Sequence, residues 1–412
     1  MEEIDVPTHF LCPISLQLMR DPVTVSTGIT YDRENIERWL FSCNNNTCPV
    51  TKQVLLETDL TPNHTLRRLI QSWCTLNSSL GIERIPTPKP PVDKTQIVKI
   101  IDDAKKFPRT QLKCLRKLRS ITLQSERNKT CIEAAGAVEF LAAIIRSYAS
   151  SLIEVDIDDG SDVAKASDEA LSILYHLNVS ENYLKNLINN EEFVDSLVQV
   201  LKHGNYQSRA YSTILLMSMC QVADPIQLVS VKPELFIEIA YVLSDQISQQ
   251  AFKAALKLLL ELCPWGRNRI KSVDGGVVSV LIDLLLDVTD KRACELILNV
   301  LDQLCRCAEG RAEFLNHGAG VAIVSKKILR VSHVASDRAV RILISICKFS
   351  ATARVLQEML QVGAVAKLCL VLQVDTSLKT KERAKEMLKL HSRLWRASSC
   401  IPPHLLSSYP SS

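Results

Sequence analysis

The sequence predicts a mostly α protein, with a small α+β head followed by an α-solenoid. Three observations carry that reading. Of the 412 residues 47% are hydrophobic but only 5% are aromatic, so the apolar mass is aliphatic and suits packed helices. Glycine is scarce, 12 residues in 412, against a usual share of roughly 7%. Few glycines mean few turns at φ > 0, which argues against a sandwich, a propeller or a dinucleotide-binding sheet. Four prolines fall in the seven residues Ile85-Pro86-Thr87-Pro88-Lys89-Pro90-Pro91, an extended spacer that no helix can cross. The spacer divides the chain into a head over 5–80, a proline-rich linker over 81–92, a helical array over 93–396 and a tail over 397–412 expected to be disordered.

Charge and composition exclude several function classes. Forty-nine basic against 45 acidic residues give +4, too balanced for nucleic-acid binding by the chain as a whole. The longest apolar stretch, Val277–Leu286, is interrupted by Asp283, so no integral membrane segment is expected. Glu2, Glu3, Asp5 and Pro7 are unlike the basic start of a signal peptide. The 14 cysteines are dispersed, and Cys220, Cys263, Cys294 and Cys347 sit in aliphatic helical patterns, where a thiol acts as a small hydrophobe. A reducing, intracellular compartment is therefore expected.

The array repeats. Ala135-Gly136-Ala137-Val138, Asp274-Gly275-Gly276-Val277, His317-Gly318-Ala319 and Val362-Gly363-Ala364-Val365 are similar, with 43 residues from Gly275 to Gly318 and 45 from Gly318 to Gly363. Weaker copies without glycine lie near Glu192-Phe193-Val194 and Lys232-Pro233-Glu234-Leu235. A second helix per period is expected at Ala210–Cys220, Ala251–Cys263, Ala339–Cys347 and Arg383–Leu394. Its clearest copy places Cys294, Ile297, Leu298, Leu301 and Leu304 or Cys305 on one face. A period of about 42–45 residues lies in the armadillo/HEAT range, and the array resembles armadillo repeats. Cys263-Pro264-Trp265-Gly266-Arg267-Asn268-Arg269 resembles a signature of one plant branch. The Trp-x3-Asn ladder of import-type armadillo grooves is absent, since Trp73 to Asn77 is its only instance and lies outside the array.

In the head, Asp21–Tyr31 alternates across Gly28, the pattern of a hairpin. Asp32–Leu40 reads as a helix with Asp32 as N-cap, Ile36 and Leu40 inward and Trp39 at the rim. A closing helix begins after Pro62-Asn63. Zinc needs paired thiolates or imidazoles at short spacing. The head has Cys12, Cys43, Cys48, Cys74, His9 and His64, but Ser15 follows Cys12 and Thr51 follows Cys48 where second ligands would stand.

Cys12-Pro13-Ile14, Asp21-Pro22-Val23, Gly28-x-Thr30-Tyr31-Asp32-Arg33, Cys48-Pro49 and Pro62-Asn63 follow in order over His9–Thr75. This stretch resembles the U-box, a zinc-less RING-like fold, and the whole chain is similar to the plant U-box/armadillo E3 ubiquitin ligases. The resemblance implies that hydrogen bonds and ion pairs replace the metals, with Asp21, Asp32, Arg33, Glu37, Asn63 and Arg67 as the network. It implies no metal, no cofactor and no covalent ubiquitin intermediate. A ubiquitin-charged E2 would dock on Ile14, Trp39 and Pro49, with Lys52 bridging E2 and ubiquitin, and substrates would lie on the armadillo groove. A second copy of the chain, joined through the U-box, is a further expected partner. The resemblance also implies plant immune or stress signalling, in the cytoplasm, the nucleus or the plasma-membrane periphery.

Four other readings are weaker. A non-catalytic armadillo scaffold or adaptor is the main alternative, and intact Ile14, Trp39 and Pro49 argue against it. A cysteine-nucleophile ligase lacks a recognisable His and acidic partner for any thiol. Glu154–Asp162 is acidic but places Val155 at the first position of a calcium loop, so it reads as an insertion. Arg109, Lys113, Arg116 and Lys117 read as a solvated helix face. Strong chelators are expected to leave ligase activity and the thermal midpoint unchanged; a fall in midpoint that added zinc restores would overturn the zinc-less assignment.

Overall fold

The computed structural model describes residues 6–42, 45–55, 60–85, 92–154, 162–396, 398, 400–402 and 409–410. The linker prolines 86–91, Cys43, the acidic segment 155–161 and most of the tail lie outside the described residues. The chain forms two compact units, Met1–Leu141 with Ser172–Val179, and Ala142–Leu171 with Ser180–Ser412.

In the first unit, β1 (Pro22–Thr24) pairs antiparallel with β2 (Thr30–Asp32) across a turn that holds Gly28 at φ 83°. The β1 strand also pairs with β3 (Thr61–Pro62), giving the sheet order β2-β1-β3. The third strand is too short to show alternation, so it left no pattern in the sequence. Helix α1 (Arg33–Glu37) follows and continues as a π-helical turn over Arg38–Ser42. Asp32 precedes α1, but its side chain makes no capping bond. Its Oδ1 instead accepts the backbone N–H groups of Arg20 and Asp21, each at 2.8 Å. The N-cap expectation is corrected accordingly: the carboxylate serves the loop before β1.

Helix α2 (His64–Leu76) begins with Asn63, whose Oδ1 accepts Leu66 N–H at 3.0 Å. Ile36, Leu40, Ile70, Cys74, Tyr31 and Val23 are buried in the head's core, with Trp39 and Trp73 packed on its edge. Burying one such aliphatic side chain contributes about 1.5–3 kcal/mol. Helices α3 (Lys94–Lys106) and α4 (Pro108–Thr122) pair, and α5 (Glu126–Ala134) packs on both and on α1 of the head. Lys113 and Lys117 lie on an exposed face of α4.

From α5 onward the helices come in threes. The first triplet is α5, α6 (Ala137–Glu154) and α7 (Asp162–Leu177). The second is α8 (Glu181–Ile188), α9 (Glu191–His203) and α10 (Tyr206–Gln221), and the third is α11 (Pro225–Ser230), α12 (Pro233–Asp245) and α13 (Gln249–Leu262). Then come α14 (Asn268–Asp274), α15 (Val277–Asp287) and α16 (Lys291–Leu304), followed by α17 (Ala308–Asn316), α18 (Gly320–Lys327) and α19 (His333–Phe349). The last triplet is α20 (Ala353–Gln361), α21 (Ala364–Gln373) and α22 (Leu378–Leu390), with α23 (Ser392–Trp395) after it. In the second unit, middle helices stack on middle helices from α9 to α21, and third helices on third helices from α10 to α22.

The expected two helices per period are thus three. The short first helix carries too few apolar positions to declare a period in the sequence. Arg383–Leu394 is also not one helix: the chain breaks at His391, whose Nε2 lies 3.1 Å from Cys347 O. Of the pair Gly275-Gly276 it is Gly276 that matches the other repeats, with φ of 77° beside 76° at Gly136 and 74° at Gly363. This left-handed turn joins first to middle helix, and only glycine adopts it without strain.

Three of the first helices, α5, α14 and α17, also close the ends of the helices before them. Asn268, fully buried, donates from Nδ2 to Leu228 O at 2.6 Å and to Leu262 O, at the end of α13, at 3.0 Å. Asn128 donates likewise to Ile121 O at 3.1 Å, and Arg311 to Cys305 O at 3.2 Å. The last carbonyls of a helix have no internal donor, and in a stacked array water cannot reach them. Asn268→Ala is therefore expected to cost about 2–3 kcal/mol by leaving two buried acceptors unpaired. The urea midpoint checks this, and a loss below about 0.5 kcal/mol would show that Asn268 is not a structural cap.

Candidate functional site: two Cys-Pro loops on the head

Two loops of the head share one backbone design. Cys12-Pro13-Ile14-Ser15-Leu16-Gln17-Leu18 is closed by a bridge between Leu11 and Leu18, and Cys48-Pro49-Val50-Thr51-Lys52-Gln53-Val54 by one between Thr47 and Val54. Cys12 N–H donates to Gln17 O and Leu16 N–H to Cys12 O, both at 2.8 Å. Cys48 N–H donates to Gln53 O at 2.8 Å and Lys52 N–H to Cys48 O at 2.9 Å. Leu16 and Lys52 occupy the same left-handed position, with φ of 56° and 60°. Each loop turns back on itself around a buried thiol.

The thiols are held by hydrogen bonds from β2 and α1. Cys12 Sγ accepts Asp32 N–H at 3.3 Å and Asn35 Nδ2 at 3.7 Å, while Asn35 Nδ2 also donates to Ser15 Oγ at 3.1 Å. Cys48 Sγ accepts Thr27 Oγ1 at 3.3 Å and lies 3.0 Å from the Tyr31 hydroxyl, which accepts Val50 N–H at 3.2 Å. Ser15 and Thr51, which stand where second metal ligands would, act in these hydrogen-bond nests.

The nest sets the charge of the second thiol. Burial raises the Cys48 pKa, but hydrogen bonds from the side chains of Thr27, Thr51 and Tyr31, and from the Thr51 backbone, outweigh it and bring it from 9.0 to about 6. Burial, and next the hydrogen bond to Cys48, push the Tyr31 phenol well above its ordinary value.

An ion cluster fastens the helices beneath the loops. Asp21 Oδ2 accepts Arg33 Nε at 2.6 Å, and Arg67 Nη1 of α2 lies 3.6 Å from Asp21 Oδ1. Arg33 Nη1 stands 3.6 Å from Glu37 Oε1. The contacts at 3.6 Å are ion pairs and too long to be hydrogen bonds. Glu37 is 2% exposed, and burial raises its pKa against the opposing pull of Arg33 and Arg127, the latter also donating its backbone N–H from α5. Asp32 is raised too, by burial first, against the backbone N–H groups of Asp21 and Arg20. The structure thus joins Asp21, Arg33, Glu37 and Arg67 in one cluster, while Asp32 and Asn63 serve separate joints. Asn63 N–H donates to Pro22 O at 2.8 Å, and its Nδ2 to Thr30 Oγ1 at 3.4 Å, tying α2 to the sheet.

Above this frame, the loops carry exposed apolar groups. Ile14 and Val50 hold equivalent positions and are exposed, as are Leu16 and Val54. Trp39, half-buried, donates Nε1–H to Thr47 O at 2.7 Å and so abuts the second loop. Lys52 Nζ lies 5.9 Å from the Trp39 ring centre, within cation–π range. Pro49 is half-buried beside Val50. Reading the sequence missed Leu16, Val50 and Val54; the signal was the internal repeat Cys-Pro-(Ile/Val)-(Ser/Thr)-x-Gln, which matches Val50 to Ile14 and Leu16 to Lys52, with Val54 just past it.

A head with two pinned Cys-Pro loops, carried by an array of three-helix repeats, defines a docking module joined to a protein-recognition array. Residues 6–79 match the U-box domain family, and residues 96–411 match the plant U-box protein ARM repeat region. The chain is 56% identical over 415 residues to E3 ubiquitin-protein ligase PUB23 of Arabidopsis thaliana, covering 99% of this chain and 98% of that one. It is 55% identical over 432 residues to E3 ubiquitin-protein ligase PUB22 of the same plant, covering 99% of each chain. E3 ubiquitin-protein ligase PUB24 of Arabidopsis thaliana is 38% identical over 447 residues, covering 98% of this chain and 96% of that one. The chain belongs to the plant U-box/armadillo E3 ubiquitin ligases. It is a RING-type E3 ubiquitin-protein ligase, with an E2 enzyme as partner of its U-box and protein substrates as partners of its armadillo repeats. Among the described residues no single helix is long and apolar enough to cross a membrane.

The nest predicts a titration. A thiol whose folded pKa is depressed adds stability above its unfolded value, and that contribution fades as pH falls through about 6. The difference in thiolate absorbance between the parent and Cys48→Ser is expected to titrate near pH 6. A midpoint near the ordinary value of about 8.5 would show that the nest holds a neutral thiol.

Proposed function

We propose that a ubiquitin-charged E2 docks on the face presented by the two Cys-Pro loops, with Ile14, Trp39 and Pro49 as its contacts and Lys52 as the bridge between E2 and ubiquitin. The observation that carries this reading is the exposure of Ile14, Leu16, Val50 and Val54 on loops otherwise fixed by buried hydrogen bonds. Apolar groups held rigidly in water favour a partner that covers them. Cys12 and Cys48 are fully buried, so they hold the loops and carry no ubiquitin. A substrate lysine amine then attacks the E2 thioester directly, and the ligase contributes position and posture. Lys52 suits a bridging role because its ammonium stands beside Trp39 on the same loop face.

Substrates bind, in this reading, along the face of third helices α10 to α22, on a unit separate from the loops. A second copy of the chain associates through the head, where Leu69 and Leu76 of α2 are seven apart and exposed. The working compartment is the cytoplasm, with the nucleus and the plasma-membrane periphery as further settings, in plant immune or stress signalling; this rests on the family resemblance.

Single-turnover discharge of E2~ubiquitin tests the face. Trp39→Ala is expected to slow discharge by roughly 30-fold or more, with the thermal midpoint of the array unchanged. Lys52→Arg keeps or raises the rate, because a planar fork bridges two acceptors more rigidly. Lys52→Ala lowers it several-fold, with E2 affinity unchanged, because the contact acts on the reactive posture. A Trp39→Ala protein that discharges like the parent would place the E2 elsewhere, and equal rates for the Lys52 variants would make Lys52 a solvated surface lysine.

A further inference from the structure

On the face of third helices, one carboxylate serves three arginines. Asp302 of α16, with 5% of its side chain exposed, accepts from Arg338 Nη1 at 3.0 Å and Arg306 Nη2 at 3.4 Å and forms an ion pair with Arg341 Nε at 2.9 Å, all on Oδ2. One negative charge cannot balance three positive ones. Asp337 of the same helix α19 is paired with Arg383 at 2.6 Å and accepts the Thr380 hydroxyl at 2.7 Å. The next third helix, α22, adds Lys379, Lys381, Lys385 and Lys389 against only Glu382 and Glu386.

The arginines are a quarter to two-fifths exposed, at 39% for Arg306, 26% for Arg338 and 27% for Arg341. Each guanidinium has five N–H donors, so donors remain for a ligand. The chemistry that fits surplus cation with donors to spare is a carboxylate, which an acidic peptide segment supplies.

We propose that Arg306, Arg338 and Arg341 anchor an acidic side chain of a substrate segment lying across α16 and α19. The proposal rests on the reading that third helices receive substrate, and it names the substrate class as acidic.

Fluorescence anisotropy of the full chain with labelled octaglutamate, octaglutamine and an oligothymidylate of equal length tests it. Octaglutamate is expected to bind at least about tenfold more tightly than octaglutamine. The Arg338→Gln/Arg341→Gln variant should lose about tenfold or more of that affinity. Arg306→Gln, which removes the longest and most exposed contact, should lose about threefold or more with the fold intact. No preference for octaglutamate, parent-like binding by both variants, or equal binding of oligothymidylate would each overturn the anchor. E2~ubiquitin discharge in the same preparations reads the ligase half separately, so discharge without octaglutamate binding removes the anchor alone. Anchor-dependent binding without ubiquitination of a lysine-bearing reporter carrying an octaglutamate tail would keep the anchor and remove the substrate-recruitment reading.

Discussion

The head depends on the strand residues Tyr31 and Asp32, which pin two loops at once. The Tyr31 hydroxyl serves Cys48 Sγ and Val50 N–H in one loop, and Asp32 N–H serves Cys12 Sγ in the other. The Asp32 carboxylate at the same time fixes the backbone at Arg20 and Asp21. Tyr31 reaches the second loop with its side chain and Asp32 the first with its backbone N–H, so one short strand holds both loops.

Holding a RING-like head by polar contacts has a consequence for its stability. Arg33 is shared between Asp21 and Glu37, and Asp21 between Arg33 and Arg67. A buried pair loses about 3–5 kcal/mol when one partner is removed, because the other charge stays buried and unpaired. Arg33 links two such pairs, so its loss would leave Asp21 with only the 3.6 Å contact to Arg67 and Glu37 with only Arg127. The cluster also ties the head to α5 within the first unit, through the Arg127 backbone and Glu37.

Much of this was legible in the residues. The hairpin around Gly28, inward Ile36 and Leu40 and the repeat period all follow from spacing, and the structure agrees. The first helix of each triplet was not legible, because α11 has six residues and α14 seven, too few to show a face. The role of Asp32 was misread because Asp before a helix is usually a cap, whereas here two nearer backbone donors in the loop outcompete the helix N–H groups. The three-arginine cluster was invisible for another reason. Arg338 and Arg341 show no pattern in sequence, and only the stacking of α19 on α16 brings them to Asp302.

The same stacking explains why such a cluster can persist in the array and not elsewhere. The third helices α13 and α16 are each fixed at the end by a donor from the next first helix, Asn268 at Leu262 O and Arg311 at Cys305 O. Fixed ends hold the register between neighbouring third helices, so Arg338 and Arg341 meet Asp302 at about 3 Å as a matter of framework geometry. Arg311 also stacks on Phe349 at 5.0 Å and donates to Ser350 Oγ at 3.0 Å, locking the far end of α19. Crowding three guanidinium groups opposes folding unless the framework imposes it, and the opposition is relieved when an external carboxylate arrives. A rigid stack can therefore hold a surplus of positive charge ready for a ligand, with little of the ordering cost that flexible side chains would bear on binding.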